Sequence, residues 1–243
     1  MKIISLNVEG QKHLSRVREF LVRENADVVC LQEYFPETRE NLLSDYPYYF
    51  FVPTYKVDQD QNGLKHSATR VWGELIASKV AFKHTEVRRV TMDDYGSEYL
   101  PSYPQDNHLP SLLVVELVND MKVATIHFTW TPNGTVTPRQ NRHIKELLEM
   151  TKGEELIICG DFNVPRGNEM YHELRKVWQD NIPERIESTI DPKLHYANKK
   201  QEGKLKLVVD YAWSTPKYQV RDVRVECGIS DHCAVIAEVL RSR

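Results

Sequence analysis

The sequence predicts an α/β fold, and three observations carry that prediction. The chain opens as strand, helix, strand. Residues 3–8 read as a strand, Leu14, Val17, Phe20 and Leu21 recur at helical spacing, and residues 28–31 are an apolar run. Further on, two apolar runs at 111–117 and 122–128 flank Val118-Asn-Asp-Met121, the pattern of a β-hairpin. Finally, residues 156–159 form a short continuous apolar run between charge and Gly160, as expected of a strand buried on both faces.

Each element follows from its residues. The first strand carries Asn7 at its end, and Glu9-Gly10 begin a turn. The helix over 12–25 is broken by Ala26-Asp27, and the second strand ends in Gln32-Glu33. If these two strands are parallel neighbours, Asn7 and Glu33 emerge at one edge of a sheet. A short helix follows at 37–44. Tyr48-Tyr-Phe-Phe-Val52 is β-prone, and its adjacent aromatics read as core rather than as a base-stacking surface. Residues 53–70, with Lys56, Lys65, His66 and Arg70, and residues 91–110, with Tyr95, Tyr99 and Tyr103, read as long irregular stretches. Strands are expected at 72–78 and 85–90. A helix over 137–150 places Arg139, Arg142 and Lys145 on its polar side, with Gly153 as its stop. Residues 168–177 read as helix and 182–201 as a polar irregular stretch holding His195. Residues 205–213, 220–226 and 234–240 read as strands, with Asp210 in the middle of the first. Nothing resembles a linker or a repeat, so a single domain over 1–243 is expected.

Composition narrows the function classes. With 41% hydrophobic and 28% charged residues and a net charge of −3, the chain has no global basic field. It has no apolar N-terminal core of signal-peptide length and no stretch long enough to span a bilayer. Cys30, Cys159, Cys227 and Cys233 include no CxxC pair, so neither a zinc site nor a disulfide framework is expected. A cytoplasmic monomer is the expectation.

Chemistry concentrates at strand ends: Asn7, Glu33, His127, Asp161, Asn163, Asp210, Asp231 and His232. Gly160 frees the backbone to turn, and the spacing of two sets Asp161 and Asn163 on one side of an extended chain. A carboxylate there can take a proton from water or bind a metal, while the amide orients an oxygen. A simple turn is the alternative, because Gly, Asp, Asn and Pro all form turns. Asp210 lies among valines and a tyrosine, where an unpaired carboxylate is costly, so it needs a partner such as a histidine.

The ordered series Leu6-Asn7, Leu31-Gln32-Glu33, Ile126-His127, Gly160-Asp161-Phe162-Asn163, Val209-Asp210-Tyr211 and Ser230-Asp231-His232 resembles the endonuclease/exonuclease/phosphatase (DNase I-like) superfamily. That resemblance implies a four-layer α/β sandwich, two mixed, mostly antiparallel β-sheets flanked by helices, with a site at one rim. It also implies divalent-metal-dependent phosphodiester hydrolysis with Mg²⁺ or Mn²⁺ as cofactor. Glu33, Asn7 and Asp231 would hold the metal. Asp161 would orient or deprotonate water, and Asn163 would hold that water or the phosphate. His232, fixed by Asp210, would contact the phosphate, and His127 would donate to a phosphate oxygen. Arg139, Arg142 and His195 are the expected substrate-binding residues. The expected substrate is a phosphodiester, nucleic acid first, for a nuclease or DNA-end-processing enzyme. Lysines 199, 200, 204 and 206 and basic residues at 65–70, 83–89 and 139–145 are candidates for tracking a phosphate backbone. Tyr34-Phe35-Pro36 after Glu33 departs from the abasic-site endonucleases, which carry a lysine there. His127 resembles instead the sphingomyelinase, DNase I and tyrosyl-DNA phosphodiesterase branches. A phospholipid, phosphorylated sugar or small phosphate ester as substrate stays open, as does a silent nucleic-acid-binding module.

Overall fold

Alternation along β1 (Lys2–Asn7) builds two cores at once. Ile3 faces the interior between two sheets, and Ile4 and Leu6 face helices on the other side. The computed structural model describes residues 1–59, 65–91, 102–103 and 110–241. After β1 come α1 (Leu14–Glu24), β2 (Val28–Tyr34), α2 (Arg39–Leu42), β3 (Tyr48–Gln59), β4 (Lys65–Ser78), β5 (Phe82–Arg89) and β6 (Ser102–Tyr103). They are followed by β7 (Ser111–Leu117), β8 (Lys122–His127), α3 (Pro138–Met150), β9 (Ile157–Asp161), α4 (Glu169–Arg175) and β10 (Gln179–Asp180). The chain then forms α5 (Tyr196–Lys200), β11 (Asp210–Ser214), β12 (Tyr218–Glu226) and β13 (Ala234–Arg241).

The strands form a seven-stranded sheet, β12-β13-β1-β2-β4-β3-β6, and a six-stranded sheet, β10-β11-β9-β8-β7-β5. Pairing is antiparallel except for β1–β2, β3–β6 and β8–β9. Val28, Cys30 and Ile76 of the first sheet share a core with Leu113, Val115 and Val123 of the second. That core continues through the second sheet to Ile144 and Leu147 of α3 and Leu174 of α4. On the far side, α1 lays Val17, Phe20 and Leu21 against Ile4, Val29 and Ile236. Helix, sheet, sheet, helix is the expected four-layer sandwich.

Several local readings change. Residues 53–59 and 65–70 extend the β3–β4 pairing instead of forming a loop. Their polar composition reflects a position near the sheet edge, where only short β6 lies beyond β3. Tyr48 and Tyr49 are 41% and 48% exposed rather than core, while Phe50 and Phe51 pack inward. Asp210 is the first residue of β11, not its middle. Most of 91–110, including the side chains of Tyr95, Tyr99 and Tyr103, lies outside the described residues, as do the side chains of Lys65 and His66.

The cysteine expectation is overturned. Cys30 and Cys159 are buried thiols, but Cys227 and Cys233 form a disulfide. Such bonds are rare where thiols are kept reduced, so the disulfide runs against the cytoplasmic expectation. No described helix is long and apolar enough to cross a membrane.

Candidate active site

Strand register assembles the site. Asp161 at the end of β9 lies opposite His127 on parallel β8 and opposite Asp210 on antiparallel β11, so three strands deliver three functional groups in one row. In the facing sheet, β1 and β2 run parallel with Asn7 opposite Gln32, which meets the condition for Asn7 and Glu33 to emerge at one edge. Gln32 reaches across the interior, its Nε2 donating to Thr125 Oγ1 of β8 at 2.9 Å, and pins the two sheets together behind the site.

Gly160 acts differently from expectation. It lies within β9, not in a turn, and a Cβ there would stand 2.1 Å from the Ile126 carbonyl oxygen. Glycine lets β9 close onto β8 and so sets the His127–Asp161 approach. The chain does turn just afterwards. Asp161 Oδ1 accepts the Asn163 N–H at 2.9 Å, Asn163 has φ 51°, and its Nδ2 donates to the Phe128 carbonyl at 2.9 Å. Turn and site are thus one structure. Phe162 is buried beneath it, edge-on to Tyr211 at 5.8 Å, and the Tyr211 hydroxyl donates to the Val164 and Val208 carbonyls, both at 2.8 Å.

Glu33 depends on a bulge. The β2–β4 register shifts between Leu31 and Tyr34, and Glu33 has φ 54°, a conformation an L side chain adopts only under constraint. Asn7 Nδ2 donates to both Glu33 Oε1 and Asp161 Oδ2 at 3.2 Å, and Asn7 Oδ1 accepts the Glu9 N–H at 3.1 Å. Asn7 therefore cross-links the two carboxylates through its amide nitrogen.

Around Asp161 Oδ2, His127 Nε2 lies at 3.5 Å and His232 Nε2 at 3.7 Å. His232 Nδ1 is 2.9 Å from Asp210 Oδ2, the partner that Asp210 required. Burial works against charge on His232, but the Asp210 and Asp161 carboxylates outweigh it and hold the imidazole well above its ordinary range. Burial raises the Asp161 carboxyl, with His232 opposing. At Glu33, burial and then the Asp231 carboxylate push the pKa up to about 8. Burial raises Asp231 as well.

The electrostatics and donor chemistry of Glu33 and Asp231 fit a hard divalent cation. Two mutually repelling carboxylates, both raised by burial, are relieved by positive charge near them. An all-oxygen set suits Mg²⁺ or Mn²⁺ better than zinc. The tighter three-residue groupings, Asp161–Asp210–His232 and His195–Asp231–His232, include His232, whose Nδ1 is already committed to Asp210.

A carboxyl with a raised folded pKa holds its proton more tightly when folded, so the metal-free fold loses stability as pH rises from about 4.5 to about 8 through Glu33. Over that window a cation must displace the proton. Its affinity is therefore expected to rise by roughly tenfold per pH unit and to level off above about 8. Calorimetry in buffers of different ionisation enthalpy reads the released proton, and Glu33→Gln should abolish both the release and the slope.

His195 lines the same cavity, its ring edge-on to His232 at 5.8 Å. Burial, then His232, pulls its pKa down to about 4. Arg139 and Arg142 do not line the cavity. From α3 it is Gln140 that reaches the site loops, its Nε2 donating to the carbonyls of Thr129 at 3.2 Å and Asn163 at 3.3 Å. Many of the basic residues expected to track a backbone are matched by acids. Lys204 pairs with Glu202, Lys206 with Glu187, Lys83 with Glu116 and Asp120, and Arg88 with Glu86 and Glu154.

Three supports were missed in the sequence. Glu74 of β4 is fully buried beside Glu33, accepts from Thr54 Oγ1 at 3.2 Å, and has its carboxyl pushed well above the usual range by burial. Thr189 Oγ1 accepts the N–H groups of Val209 at 2.9 Å and Asp210 at 3.0 Å, and its carbonyl accepts from Cys233 N at 2.7 Å. Asp191 Oδ2 accepts from Gly228 N at 2.6 Å, and its N–H donates to the Asp231 carbonyl at 2.7 Å. These bonds and the disulfide brace the segment carrying Asp231 and His232. Removing the disulfide (Cys227→Ser with Cys233→Ser) is expected to cost about 2 kcal/mol, roughly 4–8 °C in melting temperature, and to lower turnover through the loosened loop. Melting curves and kcat with and without dithiothreitol read both effects.

The model of the Endonuclease/Exonuclease/phosphatase family matches residues 4–232. The chain belongs to that family. Members of the endonuclease/exonuclease/phosphatase family are phosphoester hydrolases and generally depend on a divalent metal. None of the curated proteins matches this member. Its fold is shared with the human Nocturnin catalytic domain with bound sulfate, at 15% identity and TM-score 0.65 over 100% of this chain and 93% of that one. It is shared also with the 3′ phosphatase NExo from Neisseria bound to product DNA hairpin, at 17% identity and TM-score 0.62 over 98% of each chain. A third match is the mannosyl-6-phosphatase Bt3783 of Bacteroides thetaiotaomicron VPI-5482, at 12% identity and TM-score 0.61 over 99% of each.

Proposed function

We propose that residues 1–243 form one catalytic domain, a divalent-metal-dependent hydrolase of phosphodiesters that works at nucleic-acid ends rather than along a duplex. The observation that carries this reading is Asp161 Oδ2, set within 3.7 Å of Asn7, His127 and His232, with His232 backed by Asp210. Asp161 takes the proton of the attacking water. His232, whose pKa its two carboxylates raise, donates to the phosphate rather than serving as the base. His127 donates to the oxygen on which charge grows. Glu33 and Asp231 would hold Mg²⁺ or Mn²⁺, which would supply positive charge to the phosphate. The preference for ends is supported by the acid pairing of Lys83, Arg88, Lys204 and Lys206, which leaves fewer free cations to track a backbone.

A substrate panel with Mg²⁺ and Mn²⁺ tests the reading: linear, nicked and 3′-phosphorylated DNA, RNA, tyrosyl-DNA, sphingomyelin, inositol phosphates and a chromogenic diester. Metal-stimulated hydrolysis at DNA ends, abolished by EDTA, is the expected outcome. Tight DNA binding without any metal-stimulated hydrolysis would refute it.

A further inference from the structure

Among the described residues, three sets of potential metal ligands bring one donor atom each to within 4.8 Å of one another. In the first, Asp191, Cys227 and Cys233, both sulfurs are spent in the disulfide. The second, Asp161, Asp210 and His232, is the reacting group itself. The third joins Asp231 and His232 to His195, a residue to which the proposed hydrolysis gives no task. We infer that His195, Asp231 and His232 form a separate site for a borderline divalent metal, Zn²⁺ above all, and that filling it shuts the hydrolase off.

The donor set decides which metal. Two imidazoles and one carboxylate suit zinc, which takes nitrogen readily and completes a tetrahedron with one further ligand. Mg²⁺ demands oxygen and an octahedron, so it has little use for this corner of the cavity. His232 Nδ1 lies 2.9 Å from Asp210, which leaves Nε2 as the nitrogen it can turn to a metal. A carboxylate on the far nitrogen is the usual support of a metal-bound histidine and fixes its ring. On His195, Nδ1 is buried without a hydrogen-bond partner. An enclosed ring nitrogen with nothing to bond is costly, and a cation would relieve it. His195 and Asp231 are only half-buried and line the same cavity as His232, so an ion can reach all three.

The backbone holds the three ligands together before any ion arrives. Asp191 is the hub. Its Oδ1 accepts the N–H groups of Lys193 and Leu194 at 2.8 Å, shaping the turn into His195, and its carbonyl accepts the His195 N–H at 3.3 Å. Through Oδ2 and its own N–H the same residue bonds Gly228 and Asp231, and the Cys227–Cys233 disulfide closes that loop. The His195 ring accordingly stands edge-on to His232 at 5.8 Å. Zinc bonds of about 2.0–2.1 Å require the set to draw in slightly, which half-buried side chains can do.

Zinc at this site would act by subtraction. Asp231 cannot serve two metals, so the cation at Glu33 loses a ligand. His232 Nε2 gives its proton to solvent on binding zinc and has none left for the phosphate. This consequence rests on the hydrolase reading, whereas the metal site does not.

Two measurements on the tag-free protein separate them. Calorimetry reads Zn²⁺ binding to the metal-free chain, and hydrolysis of a chromogenic diester in excess Mg²⁺ reads inhibition by added Zn²⁺, each variant taken as a fraction of its own zinc-free rate. One Zn²⁺ per chain is expected to bind more tightly than Mg²⁺ by about 100-fold or more and to cut turnover by about tenfold or more. His195→Ala should weaken zinc binding by about 100-fold, the upper end of what even an outer partner of a metal supplies, and restore turnover at the same zinc concentration. Anomalous diffraction at the zinc edge from wild-type crystals tests the site without a variant, with a peak expected at bonding distance from His195 and His232. Zinc binding unchanged in His195→Ala, or lost instead in Glu33→Gln, would put zinc in the seat of the hard cation and overturn the site. Zinc bound at His195 with turnover undiminished overturns the switch. Absence of hydrolysis with every metal overturns the hydrolase reading, and calorimetry and diffraction then still decide the site.

Discussion

Asp161→Asn is expected to lower turnover by about 10³-fold or more while leaving the fold in place, because a positioned base contributes about 10²–10⁴ in rate. The amide keeps the shape of the carboxyl. Its oxygen can still accept the Asn163 N–H, so the turn over Phe162 is kept, while the hydrogen bond donated by Asn7 is lost. Basicity is what it loses. Turnover with Mn²⁺, read beside near-wild-type melting temperature and circular dichroism, checks the claim. Rates within tenfold of wild type would remove Asp161 from the chemistry.

Asp210→Asn is expected to lower kcat by about 10²–10⁴, the range seen when a histidine loses the carboxylate that orients it. Its more telling signature is in the pH profile. Asp210 is the leading influence that raises the His232 pKa against burial. Losing that charge lowers the pKa, so the imidazolium gives up its proton at a lower pH. If protonated His232 serves the reaction, the alkaline limb of kcat must move toward acid. A limb that stays in place, or moves toward base, would mean that His232 acts as a neutral base after all. His232→Ala should erase the limb.

Much of this site was legible because its residues stand where apolar runs stop. Leu31-Gln32-Glu33 and Ile126-His127 announce strand ends locally, and parallel pairing of β1 with β2 and of β8 with β9 then delivers them to one rim. The need of Asp210 for a partner followed from the cost of burying a carboxylate among valines, and the family resemblance named His232. What the sequence concealed depends on three-dimensional context. Glu74 lies inside an apolar strand, and its closeness to Glu33 arises only when β2 and β4 pair. Thr189 and Asp191 lie in a polar stretch whose order comes from bonds to segments up to 44 residues away. The disulfide escaped a search for CxxC spacing because its cysteines flank the Asp231-His232 segment instead of gripping a metal. The β3–β4 extension resembled a loop because its neighbour beyond β3 is only two residues long.

Glu33 and Asp231 as the seat of a divalent cation beside Asp161 is the claim on which the rest stands. Crystals soaked in Mn²⁺, measured at an energy where manganese scatters anomalously, test it directly. The account predicts a peak bonded to the Glu33 carboxylate, with Asp231 alongside, that vanishes in Glu33→Gln. A peak lodged elsewhere, or none at millimolar Mn²⁺ above pH 8, would contradict it.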